Sequence, residues 1–142
     1  MNYALKEAQK AYNKMDVPVG CVIVHNGKII ARGYNKREKD QNAIKHAEIE
    51  AIDKACKVLK SWRLNDCTIY TTLFPCPMCA SAIQQSRISK LVYLNDTNNK
   101  VLNDISLNIL FNENLNHRVK IDRIFLENSI IDDFFEKIRK EK

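Results

Sequence analysis

Two short motifs lie far apart in this chain and together carry a set of metal-binding side chains. The first is His46-Ala47-Glu48, and the second, the segment 75–79, contains Cys76 and Cys79, with Cys76 placed 28 residues after Glu48. A fold that uses these side chains together must bring the two segments to one place. A structural zinc site is normally closed by four protein ligands, whereas three ligands leave one position open for water. The pattern therefore predicts an open zinc site built from His46, Cys76 and Cys79.

Glu48 is the carboxylate that this predicted site leaves free. Zinc lowers the pKa of a bound water, and a carboxylate beside that water can accept its proton and pass it to a leaving group. Glu48 alone could be an acid favoured in the first turn of a helix, and His46 alone could cap that helix. Neither explanation accounts for the two residues together with the paired cysteines, so we interpret the pattern as a hydrolytic zinc centre.

Length and cysteine content define the class of protein. A chain of 142 residues predicts a single domain over residues 1–142. The sequence has no apolar stretch of the length of a signal peptide or membrane span. We therefore expect a cytoplasmic protein without membrane association.

Its five cysteines are an odd number, which indicates thiols and metal ligands rather than disulfides. Cys21, Cys56 and Cys67 are predicted to be ordinary small core residues.

The charge of the chain favours an anionic partner. Lys and Arg number 23 against 17 Asp and Glu, which gives a net charge of +6. Four of the cations, Lys36, Arg37, Lys39 and Lys45, stand just before His46. They could form a solvated loop of mixed charge or a phosphate-binding surface beside the predicted site.

The first part of the chain predicts a helix followed by a β-hairpin. Residues 1–14 have helical spacing of apolar side chains. Two β-rich segments, 19–25 and 28–35, flank Asn26-Gly27, and this dipeptide favours a type I′ turn because both positions need positive φ. Both faces of residues 19–24 are apolar, which indicates a strand covered by helices on both sides.

The rest of the chain alternates helices and strands. We predict helices over 47–59, 76–85 and 131–138, a possible short helix over 105–111, and strands over 68–72, 90–94 and 119–126. This order predicts an α/β protein, a three-layer α/β/α sandwich around a mixed five-stranded sheet. Both metal-binding motifs then begin helices, whose positive dipole ends stabilise a thiolate.

The two motifs resemble the signature of the zinc-dependent cytidine/deoxycytidylate deaminase superfamily. Further segments, 16–24, 76–83, 116–119 and 133–135, are similar to those of the bacterial tRNA-specific adenosine deaminases. The resemblance implies a cytidine deaminase-like fold and a Zn²⁺ cofactor. It also implies hydrolytic deamination of adenosine to inosine at the wobble position of a tRNA anticodon, by a homodimer that binds the anticodon loop.

The same resemblance implies a role for each site residue. Glu48 would be the catalytic proton shuttle, and the metal ligands would be His46, Cys76 and Cys79. Substrate contacts would come from Asn35, Ala47, Val19 and Pro75.

Some residues depart from the family pattern. Where the family usually has Thr-Leu-Glu-Pro-Cys, this chain has Phe74 in place of the acid, which could stack near the substrate or fill a pocket. Segments 42–45 and 94–97 also differ. One alternative is therefore a deaminase of a free nucleobase, nucleoside or nucleotide, of the cytosine, guanine or deoxycytidylate type. A second alternative is a non-catalytic RNA-binding module that keeps zinc for stability.

Overall fold

The computed structural model describes residues 1–141 of the chain, and a mixed sheet lies at its centre. The spatial order of the strands is β2-β1-β3-β4-β5. β1 pairs antiparallel with β2 and β3, while β3–β4 and β4–β5 are parallel. The strands are β1 Gly20–His25, β2 Lys28–Tyr34, β3 Cys67–Leu73, β4 Lys90–Asn95 and β5 Lys120–Arg123. The predicted mixed five-stranded sheet is confirmed.

Helices cover both faces of this sheet. They are α1 Asn2–Asn13, α2 Arg37–Asp40, α3 Ala47–Leu59, α4 Pro77–Gln85, α5 Lys100–Phe111 and α6 Ile130–Glu141. α1 packs on β1 and contacts α6, whereas α3 packs on β2 and β1 and contacts α4, which in turn packs on α5. Neighbouring residues of β1 face opposite layers, as strand geometry requires: Gly20 abuts α1, and the Cys21 thiol donates to the Ala47 carbonyl at 3.1 Å. The predicted three-layer α/β/α sandwich is confirmed.

The β1–β2 hairpin turns at Asn26-Gly27, as the sequence predicts. Asn26 has φ of 50° and Gly27 of 75°, so both residues adopt the left-handed conformation that a type I′ turn requires. After β2 the chain passes through α2 and then reaches His46, directly before α3.

Gly33 brings α3 close to the sheet. A Cβ atom at Gly33 would collide with the Ala47 carbonyl oxygen and would lie 2.9 Å from the Ala51 nitrogen, both backbone atoms. Only glycine allows this approach. The first turn of α3, which includes Glu48, is therefore packed directly on β2.

Three elements differ from the sequence predictions. The four-residue helix α2 was not predicted, because its polar sequence has no apolar period and its backbone is held by a distant side chain, Asp16. β5 covers only part of the strand predicted over 119–126. α5 starts at Lys100, earlier than the predicted 105, because the Asn99 side chain caps it by accepting the Leu102 N–H at 3.1 Å.

The other cysteines lie as predicted or nearly so. Cys21 and Cys67 are fully buried, and Cys56 is partly buried against the same core. Within residues 1–141, no helix combines the length and the apolar character that crossing a membrane would require.

Candidate active site

The starts of two helices meet at the carboxyl end of β3. β3 ends at Leu73, three residues before Cys76, which is the N-cap of α4. Pro77 occupies the first turn of α4, where its missing N–H costs nothing. His46 is the N-cap of α3, and α3 packs against α4. The two distant motifs of the sequence are therefore adjacent in the fold.

His46, Cys76 and Cys79 form a cluster of metal-ligating atoms. His46 Nδ1 lies 3.6 Å from Cys76 Sγ and 3.5 Å from Cys79 Sγ. One ligand atom from each residue falls within 4.8 Å of the others. Two sulfurs and an imidazole nitrogen are a donor set that zinc prefers, and three ligands leave a coordination position open. The cluster fits the predicted zinc ion.

One member of the cysteine pair, Cys76, has its pKa shifted towards the form that binds a cation. Hydrogen bonding from the Cys79 thiol, together with that from His46, lowers the pKa of Cys76 to about 4. The hydrogen bond to Cys76 and burial raise the pKa of Cys79. Cys76 is thus a thiolate at neutral pH, and the thiolate is the form of cysteine that binds metal.

Glu48 lies beside this cluster and is almost fully buried, at 3% exposure. Its Oε1 atom has no hydrogen-bond partner among residues 1–141. Burial raises the pKa of the Glu48 carboxyl above its usual value, and the nearby Cys76 acts in the same direction. A buried polar atom without a partner is rare in folded proteins, and Glu48 is one of the residues that line a cavity. The carboxylate is placed to exchange protons with a bound molecule.

Asn35 links the end of β2 to the start of α3. Its Oδ1 atom accepts the Ala47 N–H at 2.8 Å, and its own N–H donates to the Val19 carbonyl at 3.1 Å. The side-chain oxygen of Asn35 is therefore already hydrogen-bonded to Ala47. The side-chain NH₂ is the group that can donate to a ligand. Ala47 is held between His46 and Glu48 by this bond.

A cavity of about 170 Å³ opens over the cluster. This volume is below the ~300–1,000 Å³ typical of small-molecule sites, so the cavity suits one ring system rather than a whole nucleotide. It is lined by Val17, Val19, Asn35, Arg37, His46, Glu48, Leu73, Phe74, Cys76 and Thr97. Two of the four predicted substrate contacts, Asn35 and Val19, thus line the cavity. Ala47 and Pro75 are buried next to lining residues and do not line it themselves.

Phe74 packs within the wall of this cavity. It is 6% exposed, and its ring meets the Tyr93 ring edge-on, with centroids 4.9 Å apart at 71°. The aromatic residue thus lines the cavity and also fills space against Tyr93 of β4.

Thr97 belongs to the segment 94–97 that departs from the family pattern, and it lines the cavity although it was not among the predicted substrate contacts. It lies in an Asn-rich stretch without periodicity, but it follows β4, which runs parallel to β3. Since parallel strands end at the same edge of a sheet, the residues after β4 had to lie near those after β3. That topological rule was the available signal.

Three of the four basic residues before His46 separate into two groups, an ion-paired one and one at the cavity. Glu50 binds Lys45 at 3.0 Å and Lys36 at 3.5 Å, which fixes these two cations against α3. Arg37 instead lines the cavity. The sequence left open a phosphate-binding surface formed by these cations. Of the three, Arg37 is the one that lines the cavity.

A second cavity, of about 340 Å³, adjoins the first. The two cavities share Val17, Leu73 and Thr97 as lining residues. The second is further lined by Asn95 and Asn128, which hydrogen-bond reciprocally at 3.0 and 3.2 Å, and by the exposed ring of Phe135. It provides room for more of a ligand than one ring.

Comparison with known proteins agrees with this geometry. Residues 1–95 match the cytidine and deoxycytidylate deaminase zinc-binding region. The chain is 43% identical to the tRNA-specific adenosine deaminase of Bacillus subtilis (strain 168), over 100% of this chain and 90% of that protein. It is also 43% identical to the protein of the same name from Rickettsia bellii (strain RML369-C), over 98% and 99% of the two chains.

Two solved structures show the same fold. One comes from studies of A-to-I editing by tRNA:A34 deaminases at the wobble position of transfer RNA. It superposes with a TM-score of 0.79 at 33% identity, over 87% of this chain and 95% of that chain. The other is the guanine deaminase of Bacillus subtilis, with a TM-score of 0.67 at 30% identity, over 98% and 90%.

Proposed function

The chain belongs to the family defined by the cytidine and deoxycytidylate deaminase zinc-binding region, and from this premise we propose that it is a tRNA adenosine deaminase. It converts adenosine to inosine, hydrolytically, at the wobble position of a tRNA anticodon. The observation that carries this function is the buried Glu48 carboxylate beside the His46, Cys76 and Cys79 cluster. The similarity to tRNA-specific adenosine deaminases over the whole chain supports the choice of substrate.

The cluster would hold the zinc ion through His46 Nδ1 and the sulfurs of Cys76 and Cys79. A bound zinc ion supplies a Lewis acid that makes water a nucleophile at neutral pH. In the reaction, water adds to the carbon that carries the amino group, the C–N bond breaks, and ammonia leaves. Glu48 accepts a proton from the water and delivers it to the ring nitrogen. It then takes the second proton from the added hydroxyl group and delivers it to the departing amine, as the C=O bond forms and the C–N bond breaks. Glu48 is a shuttle and not a ligand.

The walls of the cavity position the base. Asn35 donates from its amide NH₂ to the target nucleoside, and Val19 packs against the base. Ala47 acts through its backbone, which Asn35 holds in place. Pro75 acts indirectly, by fixing the chain between Phe74 and Cys76.

The two adjoining cavities favour a base within a strand over a free base. The smaller cavity takes the target ring, and the larger one accommodates part of the chain next to it. The unpaired bases of an anticodon loop can be splayed into such pockets. The net charge of +6 favours RNA for the same reason that basic proteins bind phosphate backbones.

We also propose that the protein is a homodimer in the cytoplasm. α5 exposes Val101, Leu102 and Ile105 at 68%, 43% and 45%, on a helix that packs through its other side on α4. A second copy of the chain would cover these apolar side chains. A molecular mass equal to that of a single chain, measured by analytical ultracentrifugation at working concentration, would contradict the dimer.

A panel of substrates tests the proposed function. Zinc-loaded protein is incubated separately with a tRNA whose anticodon begins with adenosine, with free adenosine, with cytidine and with guanine. Inosine formation is read by mass spectrometry and ammonia release by a coupled assay. We expect inosine in the tRNA alone. Turnover of guanine with unchanged tRNA would instead favour a guanine deaminase, a candidate supported by the second solved structure.

A further inference from the structure

Asp16 ties together two segments that wall the cavity. It is 2% exposed and lies between α1 and β1, directly before the lining residue Val17. Its Oδ1 accepts the Glu38 N–H at 3.0 Å and its Oδ2 accepts the Lys39 N–H at 3.2 Å. Both carboxylate oxygens are thus bonded to the backbone of α2.

α2 cannot hold this position by itself. A helix of four residues closes too few hydrogen bonds to repay the ordering of its backbone. Bonds from N–H groups to a carboxylate are stronger than bonds between neutral groups. The two hydrogen bonds to the buried Asp16 carboxylate therefore hold the α2 helix, Arg37–Asp40, in place.

Arg37 is the cation that this turn brings to the cavity. It lines the cavity together with Glu48, and its side chain is exposed. Among residues 1–141 it makes no ion pair, whereas the nearby Lys36 and Lys45 are both bound to Glu50. A guanidinium at the mouth of the site is the residue type that best matches a phosphate.

We propose that Asp16 is a positioning residue for Arg37, whose guanidinium binds a backbone phosphate of the RNA next to the target nucleotide. The proposal rests on the proposed function, since it takes the substrate to be a nucleic-acid strand. Asp16 itself touches no substrate. It acts through the α2 backbone and sets where the Arg37 side chain begins.

The test is a double-mutant cycle on RNA binding. The probe is a fluorescent anticodon stem-loop RNA, and all proteins carry Glu48→Gln so that the RNA is not converted. Kd is measured by anisotropy over a series of KCl concentrations. We expect Arg37→Ala to weaken binding about tenfold and to make the plot of log Kd against log salt shallower by about 0.7, the loss of one phosphate contact to a single strand.

Asp16→Ala should reproduce both effects in the same direction, and Asp16→Asn, which keeps one acceptor oxygen, should give a smaller change. The double variant Asp16→Ala/Arg37→Ala should bind no more weakly than Arg37→Ala. Arg63→Ala is the matched control, because it removes one exposed guanidinium ahead of β3, at the opposite end of that strand from Cys76. We expect it to leave Kd and its salt dependence unchanged.

Three results would overturn the proposal. Arg37→Ala could keep the wild-type salt dependence, the two substitutions could add fully, or Asp16→Ala could lower the melting temperature while Kd stays unchanged. If Asp16→Ala does not fold, Asp16→Asn takes its place in the cycle. Deamination of the same RNA is assayed separately with the wild-type protein, which retains Glu48. If the wild-type protein does not deaminate this RNA, the proposed function is refuted, while the binding measurements still test the roles of Asp16 and Arg37.

Discussion

The side-chain oxygen of Asn35 accepts the backbone N–H of Ala47 at 2.8 Å. This bond joins the residue that follows β2 to the first residue of α3. Ala47 lies between His46 and Glu48, so one hydrogen bond holds both of these residues in place relative to the sheet. The N–H of the first helical residue has no partner within the helix, which is why a side chain must supply one.

Asn35→Ala should lower both stability and activity. It leaves the buried Ala47 N–H without an acceptor, at a cost of about 1–3 kcal/mol in the free energy of unfolding. It also removes the amide that we propose donates to the substrate, so kcat/KM should fall more than stability explains. Asn42→Ala is the control, because Asn42 also accepts a backbone N–H, from Ile44 at 3.1 Å, but is exposed. Urea unfolding should place the control within about 0.5 kcal/mol of wild type.

Gly33→Ala should displace the start of α3. The added methyl group would collide with backbone atoms of Ala47 and Ala51, and overpacking of this kind costs about 1–3 kcal/mol. Because Glu48 is in the same turn, deamination should fall as well. Gly27→Asn is the matched glycine control, since nothing lies within 4 Å of a Cβ there and Asn tolerates positive φ. Equal melting temperatures for the two variants would contradict the close packing of β2 and α3.

Removal of one thiol from the cluster should remove zinc. Cys79→Ala leaves two ligands, so the zinc content per chain should fall from about one to near zero in a chelator-buffered solution. The melting temperature should fall with it, because bound metal stabilises the folded state. Cys56→Ala is the control, since this partly buried thiol lies outside the cluster. Stoichiometric zinc in Cys79→Ala would exclude Cys79 as a ligand.

Glu50 should stabilise the fold in a pH-dependent way. Burial acts to raise its pKa, but the ion pairs with Lys45 and Lys36 outweigh it and hold the pKa below the usual 4.5. A lowered folded-state pKa gives stabilisation that is present above pH 4.5 and is lost as the pH falls through the folded-state pKa. Glu50→Gln should therefore cost about 1 kcal/mol at pH 7 and progressively less below pH 4.5.

Urea unfolding at a series of pH values measures this difference. Glu136→Gln breaks an exposed pair with Lys140 and should change the free energy of unfolding by less than about 0.5 kcal/mol at pH 7. A cost of Glu50→Gln that stays constant down to acid pH would contradict the assignment of the ion pairs.

The sequence predicted the sheet, the hairpin and the metal cluster because each depends on short-range signals. Asn26-Gly27 specifies its turn locally, and His46, Cys76 and Cys79 combine chemically specific side chains with helix starts. α2 could not be predicted in this way, since its order comes from Asp16, more than 20 residues away. The same holds for the pairing of Lys36 and Lys45 with Glu50, because a run of charges does not indicate which of them are neutralised.

Two of the four predicted substrate contacts line the cavity and two do not, and this difference also depends on packing between distant segments. Asn35 directly follows β2 and Val19 directly precedes β1. Both therefore lie at the edge of the sheet where the helices begin, and both line the cavity. Ala47 and Pro75 are buried in the same segments, next to lining residues, and do not line the cavity themselves. Side-chain direction depends on packing between elements, and one sequence does not specify it.

The most direct test of the account is the rate of inosine formation by Glu48→Gln. The substitution keeps the shape of a buried side chain whose Oε1 has no partner and removes its ability to carry a proton. The measurement is single-turnover conversion of an adenosine-34 anticodon stem-loop, followed by mass spectrometry, with zinc content and RNA affinity determined on the same sample. We predict unchanged zinc and unchanged RNA affinity, with a rate lower by a factor of about 10²–10⁴. Inosine formed at the wild-type rate by zinc-loaded Glu48→Gln would contradict the account.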